Sequence, residues 1–152
     1  MLQVIWYKRD LRIRDHAPLF FASQSGSVLP LFILEPFLFE QDFLTQRHLT
    51  FMIESLIDLK QNLNALGVPL YIYIGDAVTV FHLIKDTYGP FVLHSHMEHG
   101  THFTYKRDLD VKSLMTTLDI TWHEYKTFGV NRAYGFKYRL RDFHAWLQEG
   151  VY

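Results

Sequence analysis

Val4-Ile5-Trp6-Tyr7-Lys8-Arg9-Asp10-Leu11-Arg12-Ile13-Arg14-Asp15 is the stretch on which the fold turns. Its first four residues are β-branched or aromatic, as in a strand buried on both faces, and they run straight into alternating charge. A strand that gives way to charge at its carboxyl end is where an open α/β sheet builds a ligand site. The rest of the chain repeats this unit. Apolar runs at 2–7 (LQVIWY), 28–34 (VLPLFIL), 68–74 (VPLYIYI), 91–95 (FVLHS) and 118–122 (LDITW) are each short and each followed by polar or turn residues. Between them the spacing predicts helices over 16–24, 46–65, 76–87 and 102–117. In the clearest of these, Leu49, Met52, Ile53, Leu56, Leu59, Leu63 and Leu66 recur at intervals of three and four, and Gly67 stops the helix. Strand alternating with helix predicts an α/β fold: a five-stranded, parallel, doubly wound (Rossmann-like) sheet with helices on both faces, since parallel neighbours need right-handed crossovers.

Smaller signals fill in the outline. Asp76, just after Ile72-Tyr73-Ile74-Gly75, is placed to cap the following helix with its carboxylate, the alternative being a direct ligand role. Residues 35–45 (EPFLFEQDFLT) form a longer loop with three phenylalanines at the carboxyl side of the second strand, the kind of loop that covers a site. The stretch 123–141 has no clean period, and 137–148 regains helical spacing through Leu140, Phe143 and Leu147. The chain therefore divides into an α/β domain over 1–125 and a connector with a helix over 126–152.

A length of 152 residues suits one domain, which at this size buries about 68–70% of the surface exposed by its unfolded chain. A net charge of −1 gives no global pull toward nucleic acid, so any basic face is local. The absence of cysteine excludes disulfides, thiolate catalysis and cysteine-based zinc or iron–sulfur sites. Residues 1–7 leave no room for the apolar core of a signal peptide, and no run reaches membrane-spanning length. The cytoplasm is the expected compartment, with no membrane partner.

Several clusters bear on chemistry. Arg9, Asp10, Arg12, Arg14 and Asp15 follow the first strand, where guanidinium groups and helix-start donors hold a phosphate or an anionic ring. The competing expectation, favoured for Asp10, is an ion-pair network with its neighbouring arginines that locks the loop. No glycine-rich dinucleotide fingerprint follows the strand and no P-loop occurs. His94, His96, His99 and His102 form the densest histidine cluster, but Ser95 stands where the order His-x-x-Glu-His would need a histidine before Glu98-His99. No metal is assigned; hydrogen bonding at a pocket rim and solvent contact are expected. Serines lack a nucleophile elbow, and Glu35 and Glu40 flank phenylalanines that would raise a carboxyl pKa by desolvation. From Lys126 to Arg141, five basic residues and no acid interleave with Phe128, Tyr134, Phe136 and Tyr138, a mixture suited to docking ahead of nucleic-acid stacking. A face formed by 128–147, left uncovered, is expected to self-associate.

Trp6, Tyr7, Lys8, Asp10, Leu11, Arg12 and Asp15, in that order, resemble the opening of the DNA photolyase and cryptochrome family, written there as a strand, Trp-Phe-Arg-x-Asp-Leu-Arg and a later Asp. Phe32-Ile33-Leu34-Glu35-Pro36, the set Arg47, Phe51 and Ser55-Leu56, and Gly75-Asp76-Ala77 with Val80 resemble further family segments in the family's order. His94-Ser95-His96-Met97-Glu98-His99-Gly100 departs from the usual Trp/Tyr-Asn-x-x-Tyr-x-Pro. The resemblance implies the family's amino-terminal α/β domain, with Phe32, Glu35 and Arg47 around a flavin-type antenna. With Arg9 and His96 at the strand ends, the expected cofactor-binding set is Arg9, Phe32, Glu35, Arg47 and His96, and the candidate chromophore is a folate, a deazaflavin or a flavin. The FAD of repair or signalling is expected only in a carboxyl-terminal helical domain that these residues do not contain. That domain is the expected partner, DNA is met through the full-length protein, and no catalytic residue is assigned here. The chain is then a piece of a longer light-using protein or a stand-alone module. The rival readings are a nucleotide-binding regulatory module of similar fold without catalysis and a metal-dependent enzyme on the histidine cluster.

Overall fold

In the computed structural model, residues 1–40 and 45–127 are described, the side chain of Glu40 excepted. The elements are β1 (Leu2–Tyr7), α1 (Ala17–Ser25), β2 (Val28–Leu34), a 3-10 turn (Pro36–Glu40), α2 (Gln46–Ala65), β3 (Tyr71–Ile74), α3 (Ala77–Tyr88), β4 (Phe91–His96), α4 (His102–Thr117) and β5 (Trp122–Tyr125). All strand pairs are parallel, as the alternation predicts, and the sheet order is β3-β2-β1-β4-β5. The chain winds from β1 outward to β3, then returns to the other side of β1. The switch point lies between β1 and β4, where α/β sheets open a crevice.

Alternation along β1 builds both layers at once. Val4 and Trp6 face α3 and α4, packing with Phe81, Ile84, Val111 and Met115. Ile5 and Tyr7 face the other way, packing with Ala22 of α1 and with Leu56, Leu59 and Leu63 of α2. Among the described residues no helix is long and apolar enough to cross a membrane.

Two strands start later than the apolar runs suggest, for one reason. After α2, Val68 donates its N–H to the Leu63 carbonyl and Gly67, at φ 76°, to that of Asn64. After α4, Ile120 donates to Met115 and Asp119, at φ 52°, to Thr116. Both are Schellman ends, in which the apolar residue past the turn packs back toward the helix. Val68, Leu118 and Ile120 are therefore helix-end residues. The third strand begins at Tyr71 instead of residue 68, and the fifth at Trp122 instead of residue 118. The connector over 126–152 lies, from residue 128, outside the described residues.

Asp76 caps α3: its carboxylate accepts the Thr79 N–H at 2.9 Å, a bond that also pulls the carboxyl pKa down. Asp76→Ala is expected to cost about 1 kcal/mol in urea unfolding, with no change in the spectrum of the folded state.

Candidate functional site

β1 delivers its carboxyl end to the switch point, and Asp10 then fixes the loop that follows. One carboxylate oxygen accepts the Lys8 backbone N–H at 2.9 Å; the other accepts from His16 Nε2 and from His96 Nδ1, both at 2.6 Å. Burial alone would raise this carboxyl, but the two imidazole hydrogen bonds outweigh it and hold the group far below the ordinary carboxylate range. Asp10 is thus ionised and ties β1 to the start of α1 and the end of β4. The expected pairing of Asp10 with its neighbouring arginines is not what forms. Arg9 swings outward, 64% exposed, to meet Glu98 at 3.2 Å, and Arg12 donates to the Asp15 carbonyl at 3.0 Å.

Asp10, His16 and His96 offer three ligand atoms within 4.8 Å of one another, so a metal needs testing against their chemistry. His16 Nδ1 accepts the Leu19 N–H as the cap of α1, at 3.1 Å, which places the ring proton on Nε2, facing Asp10. A metal on Nε2 would move that proton to Nδ1, against the Leu19 donor. The trio therefore fits two imidazoles donating to one carboxylate, and does not fit a metal ion.

Beside it lies a buried ionic cluster. Arg107 on α4 donates to Glu35 at the end of β2 (2.7 Å), to Glu98 (2.6 Å) and to Asp108 (2.8 Å), and Lys8 Nζ meets Asp108 at 3.1 Å. The indole of Trp6 lies against both cations, with Lys8 Nζ 4.3 Å and Arg107 Cζ 4.8 Å from the ring centre. With Arg9 included, three cations balance three carboxylates. Burial raises Glu35 despite Arg107, and lowers Lys8 despite Asp108. For Arg107, burial would lower the pKa, but Glu35, Glu98 and Asp108 drive it above its ordinary value.

Between this cluster and α2 opens a cavity of about 610 Å³. Its polar wall is Lys8, Arg9, Glu35, Glu98 and Arg107; its apolar wall is Phe32, Leu38, Phe39, Phe51 and Met52. A smaller pocket of about 300 Å³ shares Lys8, Arg9, Arg12 and Glu98 with it, and adds Asp10, His96 and His99. Of the five residues singled out in the sequence, Arg9 lines both spaces, Phe32 and Glu35 line the larger, and His96 lines the smaller. Arg47 lies in neither wall: it is exposed on the first turn of α2, where its neighbours His48 and Phe51 face the larger cavity. The loop over 35–45 contributes Leu38 and Phe39 from its 3-10 turn, while Phe43 lies outside the described residues. His94 belongs elsewhere, between Gln3 (2.8 Å) and Tyr125 (2.9 Å). Arg107, Glu98 and Lys8 went unassigned in the sequence. Their signal was nonetheless present, because Arg107 and Asp108 occupy the buried stripe that continues through Val111, Leu114 and Met115.

This geometry defines a doubly wound α/β domain with a two-walled cavity at the topological switch point. The family model for DNA photolyase matches residues 3–133, and the chain belongs to the DNA photolyase family, corresponding to its amino-terminal α/β domain. It is similar to the chloroplastic/mitochondrial cryptochrome DASH of Arabidopsis thaliana, 27% identical over 136 residues that make up 78% of this chain and 23% of the relative. It is also similar to cryptochrome-1 of Sinapis alba, 40% identical over 67 residues, 44% of this chain and 13% of the relative. Among solved structures, the archaeal photolyase from Sulfolobus tokodaii, described with two FAD molecules, superposes with a TM-score of 0.77 at 22% identity, covering 95% of this chain and 35% of that one. A bacterial class III photolyase from Agrobacterium tumefaciens gives 0.66 at 21% identity, covering 85% and 26%. The chain thus spans well under half the length of each of these relatives, and the structural likenesses establish the fold.

Two outcomes test the electrostatics. Arg107→Met leaves the buried Glu35 without its ion partner, while Glu98 and Asp108 keep Arg9 and Lys8, and is expected to cost about 3–5 kcal/mol at neutral pH. That loss should shrink on acidification in urea titrations, as Glu35 takes up a proton. His94, held down to about 4 by burial and then by His123, binds a proton more readily unfolded than folded. Its contribution is therefore complete above 6.5 and is lost as the pH falls toward about 4. The stability difference between the wild type and His94→Gln, followed by chemical denaturation, should shift against the wild type across that window.

Proposed function

We propose that this domain holds a light-absorbing antenna chromophore in the larger cavity, and that the protein of which it forms the amino-terminal part uses light to reverse pyrimidine dimers or to signal. The observation that carries this reading is the two-sided cavity at the switch point in a chain of the photolyase family. Its volume, about 610 Å³, falls within the roughly 300–1,000 Å³ of small-molecule sites. Phe32, Phe39 and Phe51 offer faces for a planar ring, and the Arg107 cluster offers fixed polar groups for its edge. Folate, deazaflavin and flavin all have that shape. The archaeal relative, described with two FAD molecules and a light-harvesting cofactor, favours the flavin.

The contact set in this reading is Arg9, Phe32 and Glu35 in the larger cavity, joined by His48 and Phe51 in place of Arg47, with His96 serving the smaller pocket. Bound there, the chromophore supplies absorption and energy transfer; the residues bind it, orient it and exclude water. The catalytic FAD and the pocket for an extruded base belong, in this reading, to a carboxyl-terminal helical domain reached through 126–152, and contact with DNA comes through that domain. Residues 1–125 are the binding unit and carry no catalysis of their own. A covering partner for 128–147, or self-association there in its absence, belongs to the same proposal.

Titration of the purified chain with riboflavin, methenyltetrahydrofolate and a deazaflavin, read by pigment fluorescence, tests it. At least one is expected to bind, with Phe51→Ala weakening it by about tenfold and Arg47→Ala changing it less than about twofold. No uptake of any pigment, or a larger effect from Arg47→Ala than from Phe51→Ala, overturns the assignment. Binding of AMP or ATP without pigment uptake would favour the nucleotide-binding module instead.

A further inference from the structure

The larger cavity and the smaller pocket meet along one strip of wall, formed by Lys8, Arg9, Arg12 and Glu98. Lys8 is engaged inside the fold by Asp108, but Arg9 and Arg12 are exposed and reachable from both spaces. Arg9 meets Glu98 through Nε, at 3.2 Å, and Arg12 is held by one terminal nitrogen on the Asp15 carbonyl, at 3.0 Å. Each guanidinium is thus tethered at one atom, and among the described residues its other nitrogens have no hydrogen-bond acceptor. The acids at this place are already engaged. Glu98 is shared between Arg9 and Arg107, and Asp10, in the wall of the smaller pocket, takes the Lys8 N–H and both imidazoles. Arg12 also stands outside the balance of cations and carboxylates in the buried cluster, and bonds to no carboxylate among the described residues. The strip therefore carries positive charge that the described residues do not neutralise, on guanidinium groups already held in place. A guanidinium fixed at one atom, with its remaining N–H groups free, is the arrangement that grips a pair of phosphate oxygens.

We propose that Arg9 and Arg12 form a phosphate site at the junction of the two pockets, so that the occupant is a phosphorylated flavin with its ring in the larger cavity and its phosphate on this strip. This rests on the reading of the larger cavity as a pigment site. It goes further by naming the charged substituent that is recognised and the two residues that recognise it. The division follows the charge of the walls. The Arg107 cluster is balanced and suits an uncharged ring edge, whereas the surplus cation, Arg12, lies where the larger cavity opens into the smaller pocket. A flavin without a phosphate would fill the first space and leave both arginines without their anion.

Flavin mononucleotide and riboflavin share one ring and differ by the phosphate, so comparing them on the wild-type chain needs no substitution. Followed by flavin fluorescence at low ionic strength, flavin mononucleotide is expected to bind about 10- to 100-fold more tightly than riboflavin, the worth of hydrogen bonds to a charged group. Added salt should narrow that margin, because the arginines are exposed, and should leave riboflavin affinity nearly unchanged. Arg9→Gln and Arg12→Gln are each expected to cut the margin by about 3- to 10-fold, and to change riboflavin affinity by less than about twofold. A merely structural role for the arginines would weaken both flavins alike. Equal affinity of the two flavins for the wild type, or an unchanged margin in the double variant Arg9→Gln/Arg12→Gln, overturns the phosphate site while leaving the cavity assignment standing. Uptake of methenyltetrahydrofolate or a deazaflavin with neither flavin bound has the same meaning. Failure of the wild type to take up any of these pigments overturns both.

Discussion

The carboxylate of Asp10 is the constraint on which the binding face depends. It sits where β1 has run out of hydrogen-bonding neighbours, and three donors from three places converge on it: the Lys8 backbone, the cap of α1 and the last residue of β4. Charge-assisted bonds of this kind are roughly twice as strong as neutral ones, and here they are shielded from water. By holding the loop after β1 against β4, Asp10 leaves Lys8 directed inward to Asp108 and Arg9 directed outward to Glu98. The same loop geometry brings Tyr7 and Trp6 to the cavity wall from opposite faces of one strand. A single ionised group thus fixes the loop from which Lys8 points inward and Arg9 outward.

The ionic cluster is better understood as an orienting device than as a source of stability. Buried ion pairs roughly break even against their desolvation cost, whereas an unmatched buried charge is strongly unfavourable. Here the count of cations and carboxylates is equal, and Arg107 reaches three acids at once through a planar guanidinium. Trp6 then gives the cations a polarisable surface where water would otherwise be needed. The wall so formed presents fixed dipoles to the cavity with no net charge, which suits the edge of a neutral heterocycle better than an isolated anion.

How much of this was legible from sequence varies with the kind of interaction. Strand identity in β1, β2 and β4 could be read because two-sided burial leaves continuous apolar runs, and α2 because its stripe has an unambiguous period. The starts of β3 and β5 could not, since a Schellman end also calls for an apolar residue just past the helix, and Val68, Leu118 and Ile120 look like strand residues. Asp119 in particular hides its turn: the left-handed position usually announced by glycine is filled by an acid. At the cavity, Phe32 and Glu35 were legible through the family resemblance, and they line its wall because they lie at the end of β2. The partners of Asp10 were not, because they lie 6 and 86 residues away and only the fold brings them together. Arg47 and His48 differ by one residue on a helix, about 100° of rotation, which decides which faces the cavity and which faces solvent.

The two walls of the cavity differ in character, and under the proposed function that difference divides the work of recognition. On the sheet side Lys8, Glu35, Glu98 and Arg107 are buried and ion-paired, so their positions are set by the fold. Preorganised polar groups lose little entropy on binding and therefore discriminate well between ring edges. On the helix side, Phe51 is 73% exposed and carries its apolar surface in water until something covers it. Burying that surface is favourable for any flat ring, whatever its polar substituents. Under the proposed function, affinity comes mainly from α2 and the 3-10 turn, and identity from β1, β2 and α4. The cavity is placed where those two sources face one another because the sheet reverses its winding there.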